Sequence, residues 1–264
     1  MPFWERKIKY VGSKNRISKY IVPIIQKCID ENNIKIYYEP FVGGANMIDK
    51  IKCENRIGND IHKELIAMWN ELQKGWVPPS HITEEEYISV RNNKEKYPNY
   101  YVGYVGFHAT FGAKYFGGYA RGFKADGITP RDESNEAYRN TMKQLPRILN
   151  VKFTNIDYRD LKIKNAVIYC DPPYQGTTKY ETESFEYDGF WNWCREMSKE
   201  NWLFKSLIYV LYVNNFSTLT FFDVSSPLLQ SKFAKCSLDH IHSKSSGALY
   251  SLTKSQFHLE DLWK

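Results

Sequence analysis

Along the first 75 residues the apolar positions change period several times. In ISKYIVPIIQKCIDEN, residues 17–32, they recur at helical spacing and predict a helix, with Pro23 marking a kink or the start of a second helix. IYYEPF, residues 36–41, predicts a short strand leading into VGGAN, and helical spacing returns at Met47 and Ile48. NRIGND predicts a second strand ending on Asp60. IHKELIAMWNELQKG then predicts an amphipathic helix closed by Gly75. Residues 76–150 break this alternation. Thr83 with Glu86 three residues on is a capping-box pattern, so a helix starts there. Beyond it, residues 100–124 hold six glycines and nine aromatics and show no clean period. Alternation resumes at VKFTNIDYRDL and NAVIYCDPPY. Strands alternating with helices predict an α/β fold with a mostly parallel sheet, interrupted by an inserted unit.

The tail departs from this grammar. Residues 201–264 carry 11 of the 18 serines, one glycine and no arginine. LFKSLIYVLYV reads as a buried strand, and no strand–turn–helix order follows it.

Composition narrows the class modestly. The chain has 264 residues, 25% charged and 42% hydrophobic, as ordinary globular proteins do. A net charge of +6 permits an anionic partner such as nucleic acid without demanding one. The five cysteines form no CxxC pair, so neither a disulfide framework nor a zinc knuckle is indicated. The charged start, MPFWERKIKY, has no apolar signal region, and no stretch reaches the roughly 18 apolar residues of a membrane helix. The expectation is a cytoplasmic, monomeric protein without metal.

The chemistry concentrates where predicted strands end. In NAVIYCDPPYQGT an apolar run stops on Asp171, followed by Pro172, Pro173 and Tyr174. Ligands of open α/β sheets bind beyond the carboxyl ends of strands. A carboxylate beside a carbonyl that a stiff proline turn leaves unpaired makes an acceptor pair for an exocyclic amine, and Tyr174 offers a flat face to an aromatic ring. A proline turn after an edge strand, with Asp171 as a helix cap, explains the same residues. EPFVGGAN places Gly43 and Gly44 after a strand, where the backbone turns tightly and meets a ligand, or merely turns. Asp60 accepts ribose hydroxyls or caps the next helix. In KYVGSKNRI, Lys14 either reaches a site or is solvated, and Asp157 in NIDYRDL follows another β-like run, where it also fits a cap.

Taken in order, KYVGSK, EPFVGGAN, GND, IDY and CDPPY resemble the Dam-type family of DNA adenine-N6 methyltransferases, over about residues 7–202. The resemblance implies a Rossmann-like sheet that binds S-adenosylmethionine, with an inserted, mainly helical plus hairpin recognition domain. It implies residues 1–61 and 151–202 as the catalytic domain and 62–150 as the target-recognition insert. Residues 203–264 form an atypical tail, frameshifted or completing the sheet. Tyr10, Lys14, Phe41, Gly43, Gly44, Asp60, Asp157 and Asp171 would line the cofactor site. Asp171, Pro172, Pro173 and Tyr174 would hold a flipped adenine. Lys114, Arg121 and Lys124, in FGAKYFGGYARGFK, would contact double-stranded DNA; the alternative is a Gly-aromatic core hairpin with solvated charges. Two other readings stay open: an inactive DNA-binding remnant with a defective C-terminus, and methylation of cytosine N4. A companion restriction nuclease is compatible with any of the active readings.

Overall fold

The computed structural model describes residues 13–123, 126–173, 185–209 and 219–225. Tyr10, Lys124, Tyr174 and most of the tail lie outside them.

The helix expected over 17–32 is α1, Ser18–Glu31. It runs through Pro23 as one element, neither stopping nor restarting there. Proline removes one backbone bond from the helix. The face Ile21, Ile25, Cys28 and Ile29 is buried, and a fully buried aliphatic side chain contributes about 1.5–3 kcal/mol, enough to outweigh it. Strand β1, Ile36–Glu39, stops before Pro40, two residues earlier than the pattern predicts. The helical spacing at Met47 and Ile48 yields only a 3-10 turn, Ile48–Lys50. Strand β2, Asn55–Asn59, and α2, Lys63–Gln73, follow as expected. Gly75, at φ +96°, ends α2, with Trp76 N–H returning to the Glu71 carbonyl.

Next come α3, Glu84–Asn92, capped by Thr83 on Glu86 N–H, and α4, Asn99–His108. A small hairpin pairs β3, Gly122–Phe123, with β4, Pro130–Arg131. Helix α5, Glu133–Ile148, leads back to β5, Val151–Thr154. Strand β6, Val167–Cys170, is buried throughout, and α6, Tyr187–Met197, connects it onward to β7, Trp202–Tyr209, and β8, Leu219–Ser225.

Six strands form one sheet in the order β5-β2-β1-β6-β7-β8. All neighbours are parallel except β7 and β8. The chain lays β1, β2 and β5 outward in one direction, then returns to β6 on the other side of β1. The order therefore reverses between β1 and β6, and a crevice opens beyond their carboxyl ends.

The residues between β2 and β5 share a core with the sheet. One apolar cluster joins Tyr37 and Phe153 of the sheet to Trp69 of α2, Tyr87 of α3 and Val102 and Tyr104 of α4. Trp69 stacks on Phe153 with ring centroids 5.8 Å apart. Helix α4 lies so close to α2 that a β-carbon at Gly103 would come within 2.2 Å of the Glu64 carbonyl oxygen.

Candidate active site

Both central strands end in an acid followed by proline: Glu39–Pro40 on β1 and Asp171–Pro172 on β6. The strand-end carboxylate Asp171 meets Lys14 Nζ at 2.8 Å, with the two side chains 19% and 6% exposed. Lys14 belongs to a 3-10 turn, Lys14–Arg16, that Ser13 caps ahead of α1. Two residues both expected at the cofactor site, one of them also catalytic, thus form one largely buried ion pair. Pro172 is buried, and the Tyr187 hydroxyl of α6 donates to the Pro173 carbonyl at 2.8 Å. That bond ties down the second proline of the turn.

Glu39 was not among the predicted site residues, although its acid–proline signature matches that of Asp171. It is 2% exposed and accepts the Tyr37 hydroxyl at 2.8 Å. Burial pushes its carboxyl up to about 8; Tyr37 and Lys50 oppose the rise, while Asp49 and Asp171 add to it. Burial likewise raises the Tyr37 phenol well above its usual range.

The glycine loop follows β1. Gly43 adopts φ +47°, the left-handed conformation that glycine takes without cost. Its N–H donates to Asp60 Oδ2 at 3.0 Å, while Asp60 Oδ1 accepts the His62 N–H at 3.0 Å. Asp60 therefore joins the loop to the head of α2. It closes a turn on His62, which is itself the cap residue of α2, so Asp60 does not cap the helix as the alternative expected; it still stands at the strand end. Burial raises its carboxyl to about 6, against the lowering effect of the His62, Gly43 and Ile61 N–H groups. Gly44 lies in the same loop, and its carbonyl accepts Gln144 Nε2 at 3.1 Å.

Phe41 forms an aromatic wall with Tyr158 at 5.3 Å, Phe190 at 5.7 Å and Phe185 at 5.9 Å between centroids. Asp157 precedes Tyr158 and caps the short turn Tyr158–Asp160. Arg159 grips its carboxylate through Nε at 2.9 Å and a terminal nitrogen at 2.5 Å, which holds that carboxyl below the usual range. The acid expected beside the cofactor is thus also an ion-pair member.

Two of the three predicted DNA contacts are among the described residues. Lys114 is exposed on the loop after α4, and Arg121, mostly exposed, pairs with Glu84 of α3. Among the residues that sequence reasoning missed, Trp69 read only as part of an apolar face. Gln144 and Arg159 carried no local signal.

An open, mostly parallel α/β sheet with an acid–proline strand end and a glycine loop at its switch point defines a Rossmann-like methyltransferase architecture. The family model described as D12 class N6 adenine-specific DNA methyltransferase matches residues 10–207, and the chain belongs to that family. Among curated proteins, the modification methylase StsI of Streptococcus sanguinis is 23% identical over 219 residues, covering 74% of this chain and 32% of that protein. The chain thus spans about a third of that relative's length. Among the described residues, no helix is long and apolar enough to cross a membrane.

Proposed function

We propose that this chain transfers a methyl group from S-adenosylmethionine to N6 of an adenine flipped out of double-stranded DNA. The observation that carries the proposal is the convergence of Asp171, the Gly43–Gly44 loop and Asp60 at the ends of adjoining strands, where an α/β sheet binds ligands.

The residues fit this cofactor. Asp60 offers acceptors to ribose hydroxyls beside a glycine loop that a side chain would not crowd, and Phe41 with Tyr158 offers a flat apolar wall. Asp157 and Tyr10 complete the site by resemblance. S-adenosylmethionine supplies an electrophilic methyl on a sulfonium. The adenine amine is a poor nucleophile because its lone pair is delocalised into the ring. Asp171 and the Pro172 carbonyl accept its two N–H bonds and so favour the pyramidal amine. The Asp171 carboxylate also opposes the positive charge that grows on N6. Lys14, at 2.8 Å, holds that carboxylate in place. A base inside a duplex cannot reach such a pocket, so it is extruded, and Tyr174 replaces its lost stacking. The insert, residues 62–150, supplies the DNA contacts, with Lys114, Arg121 and Lys124 on phosphates or bases.

Incubation with DNA and methyl-labelled S-adenosylmethionine, followed by identification of the modified base, tests the reading. Label on adenine N6, lost in Asp171→Asn, is expected. Label on cytosine N4 would move the substrate, and DNA binding with no transfer would leave an inactive remnant instead.

A further inference from the structure

The glycine loop contains a strained residue that the mechanism leaves unexplained. Ala45 has φ +54° and is fully buried. A β-carbon is disfavoured in this left-handed region, so the loop at Ala45 persists only if its surroundings impose it. They do so from two helices. Trp69 Nε1 of α2 donates to the Gly43 carbonyl at 3.1 Å. Gln144 Nε2 of α5 donates to the Gly44 carbonyl at 3.1 Å and the Ala45 carbonyl at 2.9 Å. Within the loop, Ala45 N–H closes a turn on the Val42 carbonyl at 2.9 Å. Three successive carbonyls are therefore drawn toward α2 and α5. In a planar trans peptide the N–H points opposite to the carbonyl, so the Gly44 and Asn46 N–H groups turn away from those helices.

Gln144 is a costly choice for this position. It is completely buried, and its Oε1 has no hydrogen-bond partner among the described residues. An unpaired buried acceptor is unfavourable, and a methionine would fill similar space without one. The amide orientation is fixed all the same, because a flipped amide would set its oxygen against two carbonyls. One helical turn further along α5, Arg147 Nε reaches Asp49 Oδ2 at 3.2 Å, so the helix grips the β1–β2 connection twice.

We infer that Gln144 is a positioning residue that clamps the strained Gly43–Ala45 loop and thereby sets cofactor affinity without touching the cofactor. The inference rests on the cofactor reading given above. It makes the last helix of the insert part of the cofactor site's support, although α5 begins beside the β3–β4 hairpin.

Gln144→Met tests it, with two readouts on the full chain. In the absence of any ligand, amide exchange over residues 43–46 should speed up about tenfold, while exchange in α1 and β6 stays unchanged. With S-adenosylmethionine, the dissociation constant and KM should rise about tenfold, while kcat at saturating cofactor stays within about threefold. Ala45→Gly, added to Gln144→Met, removes the strain and should recover at least about threefold of the lost affinity. Should Gln144→Met fail to fold, Gln144→Asn, which keeps the amide but withdraws it, should show the same pattern in smaller measure. A lower melting temperature with unchanged affinity and unchanged loop exchange would overturn the inference. So would a fall in kcat alone. Wild-type protein that binds no S-adenosylmethionine would sink the cofactor reading, while faster loop exchange in the variant would still support the clamp.

Discussion

Glu39 should make the protein less stable as pH rises through neutrality. Its carboxyl is 2% exposed, and its folded value of about 8 lies above the ordinary 4.5. Between those values the folded state keeps a proton that the unfolded chain releases. Stability from this group is therefore complete below about pH 4.5 and is lost as pH rises toward 8. At about 1.4 kcal/mol per pH unit, the loss reaches about 5 kcal/mol. Among the described residues, two other groups with shifted values titrate nearby. Asp60, raised to about 6, acts in the same direction but is spent by then. His108, which burial depresses to about 4, acts oppositely: it costs stability as pH falls below about 6.5. The window from about pH 6.5 to 8 thus isolates Glu39. Glu39→Gln keeps an acceptor for Tyr37 and cannot ionise, so its slope in that window should vanish. Urea unfolding at half-unit pH steps from 5 to 9 provides the measurement. Parallel stability curves for wild type and Glu39→Gln between pH 6.5 and 8 would refute the reasoning.

Three further outcomes follow from the geometry. In the proposed cofactor site Asp60 accepts ribose hydroxyls as a charged carboxylate, so S-adenosylmethionine affinity should weaken as pH falls through about 6, and Asp60→Asn should remove that dependence in a calorimetric titration. Gly103→Ala sets a β-carbon 2.2 Å from the Glu64 carbonyl oxygen and must separate α4 from α2, so chemical denaturation should register a loss of at least about 2 kcal/mol. Lys114→Ala should weaken DNA binding and reduce the slope of log affinity against log salt by about 1; an unchanged slope would remove Lys114 from the phosphate contacts.

How much of this was legible depended on whether local sequence and tertiary packing agreed. Asp171 could be found because a four-residue apolar strand ends on it, and strand ends are where such sheets bind ligands. Thr83 and Gly75 could be found because caps are local chemistry. Helix α4 could not. Seven of its residues, Val102–His108, are buried, so no polar face gives it a period, and its two glycines argue against a helix. Gly103 is there because the Glu64 backbone leaves no room for a β-carbon, a fact of the fold rather than of the segment. Pro23 starts no second helix for the converse reason: the buried face around it carries the helix through a local breaker. Gln144 carried no signal because its work is done on residues 99 and 100 positions away in the chain.

The paired strand ends explain why the two acids of the crevice need different surroundings. Glu39 and Asp171 terminate adjacent strands, and the charge of Asp171 contributes to raising Glu39. Two carboxyl groups in one poorly solvated place do not both ionise easily, and their environments decide which keeps the proton. Asp171 faces an ammonium, Lys14, at 2.8 Å. Glu39 bonds a phenol, Tyr37, feels the Lys50 ammonium as well, and is the more deeply buried of the two. Burial therefore keeps the proton on Glu39 through neutrality, and Lys14 sets a positive charge against Asp171. That division suits the proposed chemistry, which asks Asp171 to accept an amine N–H and to offset positive charge on nitrogen. Lys14, itself 6% exposed, adds its charge on the side of the strand-end carboxylate, which is also the less deeply buried of the two.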